Sequence, residues 1–180
     1  MDRMSKAAQR LWGSLDNSQK LHASPLFTTE LAAQVNGRLA LRVPAVSAWS
    51  FGEQVEHLYR ASHYVLDRLQ EAMAAADDPQ RHPNLLGHAF NAAGFIPRGM
   101  FPTIPELEPR GGTLEQIEPL KVALEERVGK LDWALPEIFA HPGRSRHPRM
   151  SYLRARQWVC FLDIHHRHHL AILRDILKAA

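Results

Sequence analysis

Apolar side chains recur at helical spacing in three long stretches of the chain, separated by polar and proline-rich sequence. In the stretch Trp158–Leu177, Trp158, Leu162, His165, His169, Ile172 and Ile176 fall within a sector roughly 80° wide when residues are set about 100° apart. Arg156, Asp163, Arg167 and Arg174 fall on the opposite side. This predicts an amphipathic helix whose apolar stripe is interrupted midway by two imidazoles one turn apart.

The second stretch is Trp49–Ala76. Ser50 followed by Glu53 fits a capping box, in which the two side chains satisfy the first free amides of a helix. Phe51, Val55, Leu58, Ser62, Val65, Leu69 and Met73 then recur on one face, and Asp77-Asp78-Pro79 ends the helix. The third stretch, Thr113–Leu135, carries Leu120, Leu124, Val128 and Leu131, and begins either at Thr113 or near Pro119. Leu135-Pro136 interrupts it and Ile138-Phe139 continue briefly. A shorter helix starting near Thr28 or Thr29 carries Leu31, Val35 and Leu39, and residues 1–22 form a peripheral helix with Leu11, Trp12 and Leu15.

Between the second and third stretches the pattern changes. Residues 79–112 are rich in Pro and Gly, with a short helix expected over Asn84–Ala93 and an extended crossover over Gly94–Pro109. Phe90, Phe95, Ile96, Met100, Phe101 and Ile104 give this segment too much apolar surface for a linker. His141–Arg149 reads as a basic, proline-containing loop, and no strand pattern stands out. The expected architecture is therefore one all-α domain over residues 1–180. It is a four-helix bundle with a long crossover connection.

Composition narrows the function classes. Hydrophobic residues make up 45% and charged residues 23%, and the formal net charge is +3 with histidine neutral. No basic run interleaved with aromatics suggests nucleic acid as a partner. No apolar run approaches the roughly 18 residues of a membrane span, and Met1–Lys20 is charged throughout, so no membrane association is expected. The single cysteine, Cys160, allows no internal disulfide and fits a cytoplasmic location.

The chain holds 11 histidines. His82, His141 and His147 precede prolines and read as solvated loop residues. His22 lies in a polar connection, and His63 faces away from its helix stripe and reads as surface. His88 is not placed by the pattern. His165 and His169 differ, because each neutral ring brings a donor and an acceptor into an apolar stripe. Two readings stand here: a divalent metal held at i, i+4 spacing, or a buried polar network. Two ligands are too few for a site that also keeps a position open for water or substrate, and periodicity does not identify a third.

The segment Gln157-Trp158 through His165, His168-His169 and Ile172 resembles the last helix of the DinB/YfiT-like family of metalloenzymes. Trp49-Ser50 with Glu53 and His57-Leu58 resembles the family's Trp-Ser turn and His-Leu helix. Phe95-Ile96-Pro97-Arg98-Gly99 and His147-Pro148 are similar to its crossover regions. The resemblance covers most of residues 45–177. It implies an up-down-down-up four-helix bundle, a homodimer, and one divalent metal held by His57, His165 and His169. His57 lies roughly 130° from the stripe of its own helix, so its role comes from the resemblance and not from periodicity. His168 also matches and is implied as a supporting residue or alternative ligand. Arg154 stands where related sequences often have a Ser or Thr cap.

Such a centre suits zinc or nickel, with iron or copper also accommodated by imidazoles. It would activate water or a low-molecular-weight thiol against a small-molecule substrate, for hydrolysis or S-transfer. Arg98 is the candidate for binding an anionic substrate group. Glu53 is a candidate supporting residue or alternative ligand one turn before His57, with the helix cap as its other role. The alternative function is a non-catalytic metal-binding or structural bundle acting through protein partners. A weaker third reading is pH sensing or metal buffering by the histidine-rich helix.

Overall fold

A computed structural model of the chain describes residues 37–99, 101–129 and 135–180. The expected helix over residues 1–22, and the next one up to residue 36, lie outside the described residues. The described chain is mostly helical, with one small two-stranded sheet. Its elements are α1 (Phe51–Ala74), α2 (Leu85–Ala93), a short 3-10 turn (Pro105–Leu107), α3 (Leu114–Gly129), α4 (Leu135–Ala140), β1 (Arg144–His147), β2 (Ser151–Arg154) and α5 (Ala155–Ala179).

The capping box forms as its sequence predicts. The Ser50 N–H donates to Glu53 Oε2 at 2.6 Å, and the Glu53 N–H donates to Ser50 Oγ at 3.2 Å. From this start α1 is buried on more than one side. Its stripe residues Val55, Leu58, Ser62, Val65 and Leu69 are buried, and so are Gln54, Glu56, His57, Tyr59 and Leu66. A helix enclosed this way is central to its domain. It packs most extensively on α5, then on α3 and β1.

Cross-helix contacts give the directions. Gln54 meets His169, Ser62 meets His166 and Tyr64 meets Trp158, so α1 and α5 run antiparallel. Glu56 meets Gly112, His63 meets Leu120 and Asp67 meets Arg127, so α1 and α3 run parallel. Two parallel helices cannot be joined by a tight hairpin. The chain must travel back along their length, which is why the connection from 75 to 113 is long.

That crossover is pinned at its end by α1. Glu56, fully buried, accepts the N–H groups of Arg110 and Gly112, each at 2.8 Å, and pairs with Arg60 at 2.7 Å. Gly112 adopts φ +66° and lies so close to Gly52 and Glu53 that a Cβ there would overlap their backbone. Only glycine satisfies both the dihedral and the approach.

Several sequence expectations change. The region read as a loop, 141–149, contains β1, which pairs antiparallel with β2 from Arg144↔Arg154 to His147↔Ser151. Four-residue strands without apolar alternation leave no periodic signal. The hairpin is held to α1 by Ser145 Oγ donating to the Arg68 carbonyl at 2.5 Å and by Arg144 reaching Asp77 at 2.7 Å. α3 begins at Leu114, directly after Thr113, and keeps Pro119 inside it, which favours the earlier of the two expected starts. Phe95 is 58% exposed, although Phe90 is buried and Ile96 is partly so. Asp163, on the side of its helix opposite the stripe, is buried, with its Oδ2 paired to Arg167 at 2.9 Å. α5 starts at Ala155 after Arg154, with the Gln157 side chain accepting the Arg154 N–H at 2.8 Å in place of a Ser or Thr cap.

Candidate metal centre

Three buried histidines meet where α1 crosses the middle of α5. His57 comes from α1, and His165 and His169 come from α5. Ring centroids lie 5.3 Å apart for His57–His165, 4.7 Å for His57–His169 and 4.4 Å for His165–His169. One ring nitrogen from each lies within 4.8 Å of the others. Tetrahedral ligands around zinc stand about 3.3 Å apart, so closing on an ion asks the nitrogens to approach by up to about 1.5 Å.

The hydrogen bonds fix which nitrogens are free. His57 Nδ1 donates to the Leu107 carbonyl at 2.8 Å. His169 Nδ1 donates to Gln54 Oε1 at 2.7 Å, and Gln54 Nε2 in turn donates to Ser47 Oγ at 2.7 Å, which orients the amide. A ring that donates from Nδ1 carries its lone pair on Nε2, the arrangement metal-ligating histidines use. His165 Nδ1 is buried without a partner. A buried polar nitrogen left unsatisfied is uncommon and calls for a missing partner.

The electrostatics keep these rings neutral. Burial holds His165 and His169 well below the ordinary imidazole value, reinforced by the neighbouring histidines. Burial also lowers His57, partly offset by its bond to Leu107. Neutral imidazole is the form that ligates, so the site is ready for a cation near neutral pH without first losing protons.

The three rings border a cavity of about 200 Å³. Its walls are mainly apolar, including Val65, Phe90, Ile96, Phe101, Ile104 and Phe161, with Trp49 packed 4.8 Å from His57. Apolar walls with convergent polar groups are the usual make-up of a small-molecule site. The crossover supplies one side of it, through residues from Ile96 to Leu107, so the apolar surface of that segment borders the centre.

His168 also lines the cavity, but its Nδ1 donates to the Ile96 carbonyl at 3.0 Å, tying α5 to the crossover. Its ring is 4.9 Å from His169, beside the three rather than among them. The Glu53 carboxylate is engaged in the helix cap and in a 2.7 Å pair with Arg42, and Glu53 is not in the cluster. Arg98 pairs with Asp175 at 2.7 Å on the surface and does not line the cavity.

Other residues near the centre gave no clear signal in the sequence. His147 is not a solvated loop residue. It packs on Trp158 and Phe161, its Nδ1 accepts two backbone N–H groups, and burial lowers its pKa to about 4. His63 is not a surface residue either: its Nε2 donates to the Leu120 carbonyl at 2.9 Å, and its Nδ1 accepts from Arg127 at 3.2 Å. His166 donates from Nε2 to Ser62 Oγ at 2.7 Å, and that hydroxyl donates to the Leu58 carbonyl. Ser62 on an otherwise apolar stripe was the only hint in the sequence of this buried pairing.

Comparison of the chain with protein-family models, with curated proteins and with solved structures finds no match.

Proposed function

We propose that this protein is a metal-dependent enzyme whose divalent ion is held by His57, His165 and His169. One observation carries the reading: three buried neutral imidazoles converge at the wall of an apolar cavity, two of them with Nε2 freed by a hydrogen bond from Nδ1. A cation bound by three neutral ligands keeps its full charge and open positions, and can lower the pKa of bound water or thiol. His57 and His169 would orient it through Leu107 and Gln54, the cavity walls would exclude bulk water, and Trp49 would cover His57. The reaction class is hydrolysis or thiol S-transfer on a small molecule. Zinc or nickel is the first expectation, with iron or copper also suited to imidazole.

The helix directions support the finer architecture. With α1 and α3 parallel and α5 antiparallel to them, a preceding helix antiparallel to α1 would complete an up-down-down-up four-helix bundle. That is the topology implied by the resemblance to the DinB/YfiT-like family. The same resemblance carries the proposal of a homodimer, and the single cysteine, Cys160, carries that of a cytoplasmic location. Light scattering tests the first and cell fractionation the second.

The rival is a structural bundle without catalysis. His166 with Ser62 and His63 with Arg127 favour it, because both are cross-helix ties needing no metal. Cobalt(II) substitution distinguishes the two. An open, catalytic site gives a thiolate-to-metal absorption band when 2-mercaptoethanol is added, and a closed structural site leaves the spectrum unchanged.

A further inference from the structure

The turn between β1 and β2 brings two polar groups to the cavity that the metal site does not use. His147 Nδ1 accepts the backbone N–H of Arg149 and that of Met150, each at 3.1 Å. A nitrogen that accepts carries no proton, so the ring hydrogen sits on Nε2. That Nε2 has no protein partner among the described residues. Trp158 and Phe161, with ring centroids 5.3 Å and 5.0 Å away, hold the ring in place. The result is a neutral N–H donor of fixed tautomer at the cavity wall.

Arg149 leaves the same turn and lines the same cavity. Its Nη2 donates to the Pro102 carbonyl at 3.0 Å, which ties the guanidinium to the crossover at the cavity's edge. Its remaining N–H groups have no partner among the described residues. Among the described residues no Asp or Glu lines the cavity, and the polar side chains that do are histidines, Trp49, Tyr64, Thr103 and Arg149. Every fixed charge there favours an anion, and a guanidinium is matched to a planar two-oxygen acceptor. The volume sets the rest of the ligand. A dry cavity of about 150 Å³ takes a benzene ring, so about 200 Å³ holds a ring-sized apolar body with one small substituent.

We infer that the cavity takes a small carboxylic acid with a ring-sized apolar body, its carboxylate held by Arg149 and the His147 Nε2–H. The body lies among Phe90, Phe101 and Phe161, and the far end points at the three histidines. Only that last orientation rests on the metal reading. Carboxylate recognition by the β1–β2 turn stands apart from it.

Benzoate, benzyl alcohol and benzylamine share one skeleton and differ in charge, which makes them the probes. In calorimetric titrations of metal-loaded protein, benzoate binds roughly tenfold or more tightly than the alcohol, and the amine binds most weakly. Arg149→Met removes the preference and leaves the alcohol unchanged, while Arg149→Lys keeps part of it. His147→Asn keeps the turn, because an Asn side chain can accept the same backbone N–H groups, and weakens benzoate. Circular dichroism confirms that each variant is folded. Equal affinity for the three probes, no binding of any, or benzoate affinity untouched by Arg149→Met overturns the inference. So does benzoate binding that vanishes when metal is stripped with EDTA, because the carboxylate then sits on the ion. A protein that takes no metal but keeps benzoate selectivity would sink the proposed enzyme alone.

Discussion

Gln54 and His169, 115 residues apart in the chain, are joined by a 2.7 Å hydrogen bond from Nδ1 to Oε1 across the α1–α5 interface. That bond fixes the tautomer of His169, and Ser47 fixes the amide that accepts it. Outer partners of this kind are worth roughly ten- to a hundredfold in metal affinity. Gln54→Ala is therefore expected to lower affinity for zinc by about that factor. Competition against a chromophoric chelator reads it directly, and unchanged affinity would show that the bond does not act on the ligand.

Ser62 and His166 form a second α1–α5 tie, one that does not involve the cluster of His57, His165 and His169. Ser62→Ala leaves the His166 Nε2–H buried without an acceptor, at a cost of about 1–3 kcal/mol. Urea unfolding should show that loss with metal affinity unchanged. A loss of metal without a loss of stability would mean the two networks are coupled.

Glu56 holds the end of the crossover through two backbone N–H groups and Arg60. Glu56→Ala strands all three partners, and breaking a buried pair this way costs about 3–5 kcal/mol. Limited proteolysis should then cut within 94–113 faster than in the parent protein. Equal cutting rates would show that the crossover is held by other contacts.

His147 gives a pH dependence with a definite sign. Burial lowers its pKa from the ordinary 6.5 to about 4, so between those values the unfolded chain takes up a proton that the folded chain does not. Stability is highest above pH 6.5 and falls as the pH drops towards 4, by up to about 3 kcal/mol from this group. In EDTA, urea midpoints of His147→Asn should fall less steeply than those of the parent across that window. Parallel slopes would mean that His147 is charged in the folded protein.

The two helices that carry the three-histidine cluster were legible because their apolar stripes are long and their ends are marked. The Ser50–Glu53 box and the Asp77-Asp78-Pro79 stop bracket α1 to within a few residues. His165 and His169 stood out because they interrupt an apolar stripe, and they are buried with it. His57 sits off its own stripe, and only a helix enclosed on several sides buries such a position, which one helix's periodicity does not reveal. Resemblance named it, and the fold brings it to the other two. The β1–β2 hairpin, and with it His147 and Arg149 at the cavity, escaped because four-residue strands held by α1 carry no pattern of their own. Arg98 looked like an anion binder from its crossover setting, but Asp175 lies within its reach on α5. Gln54 and Glu56 act through partners more than fifty residues away, and such pairings exist only once the chain is folded.

The most direct test is the metal content of protein purified without an affinity tag, measured by plasma mass spectrometry. The account predicts near-stoichiometric divalent metal in the parent protein. It predicts loss of that metal in the folded double variant His165→Ala/His169→Ala and in His57→Ala. Metal content that is unchanged in the variants, or a parent protein that takes up no divalent metal even when it is supplied, would contradict it.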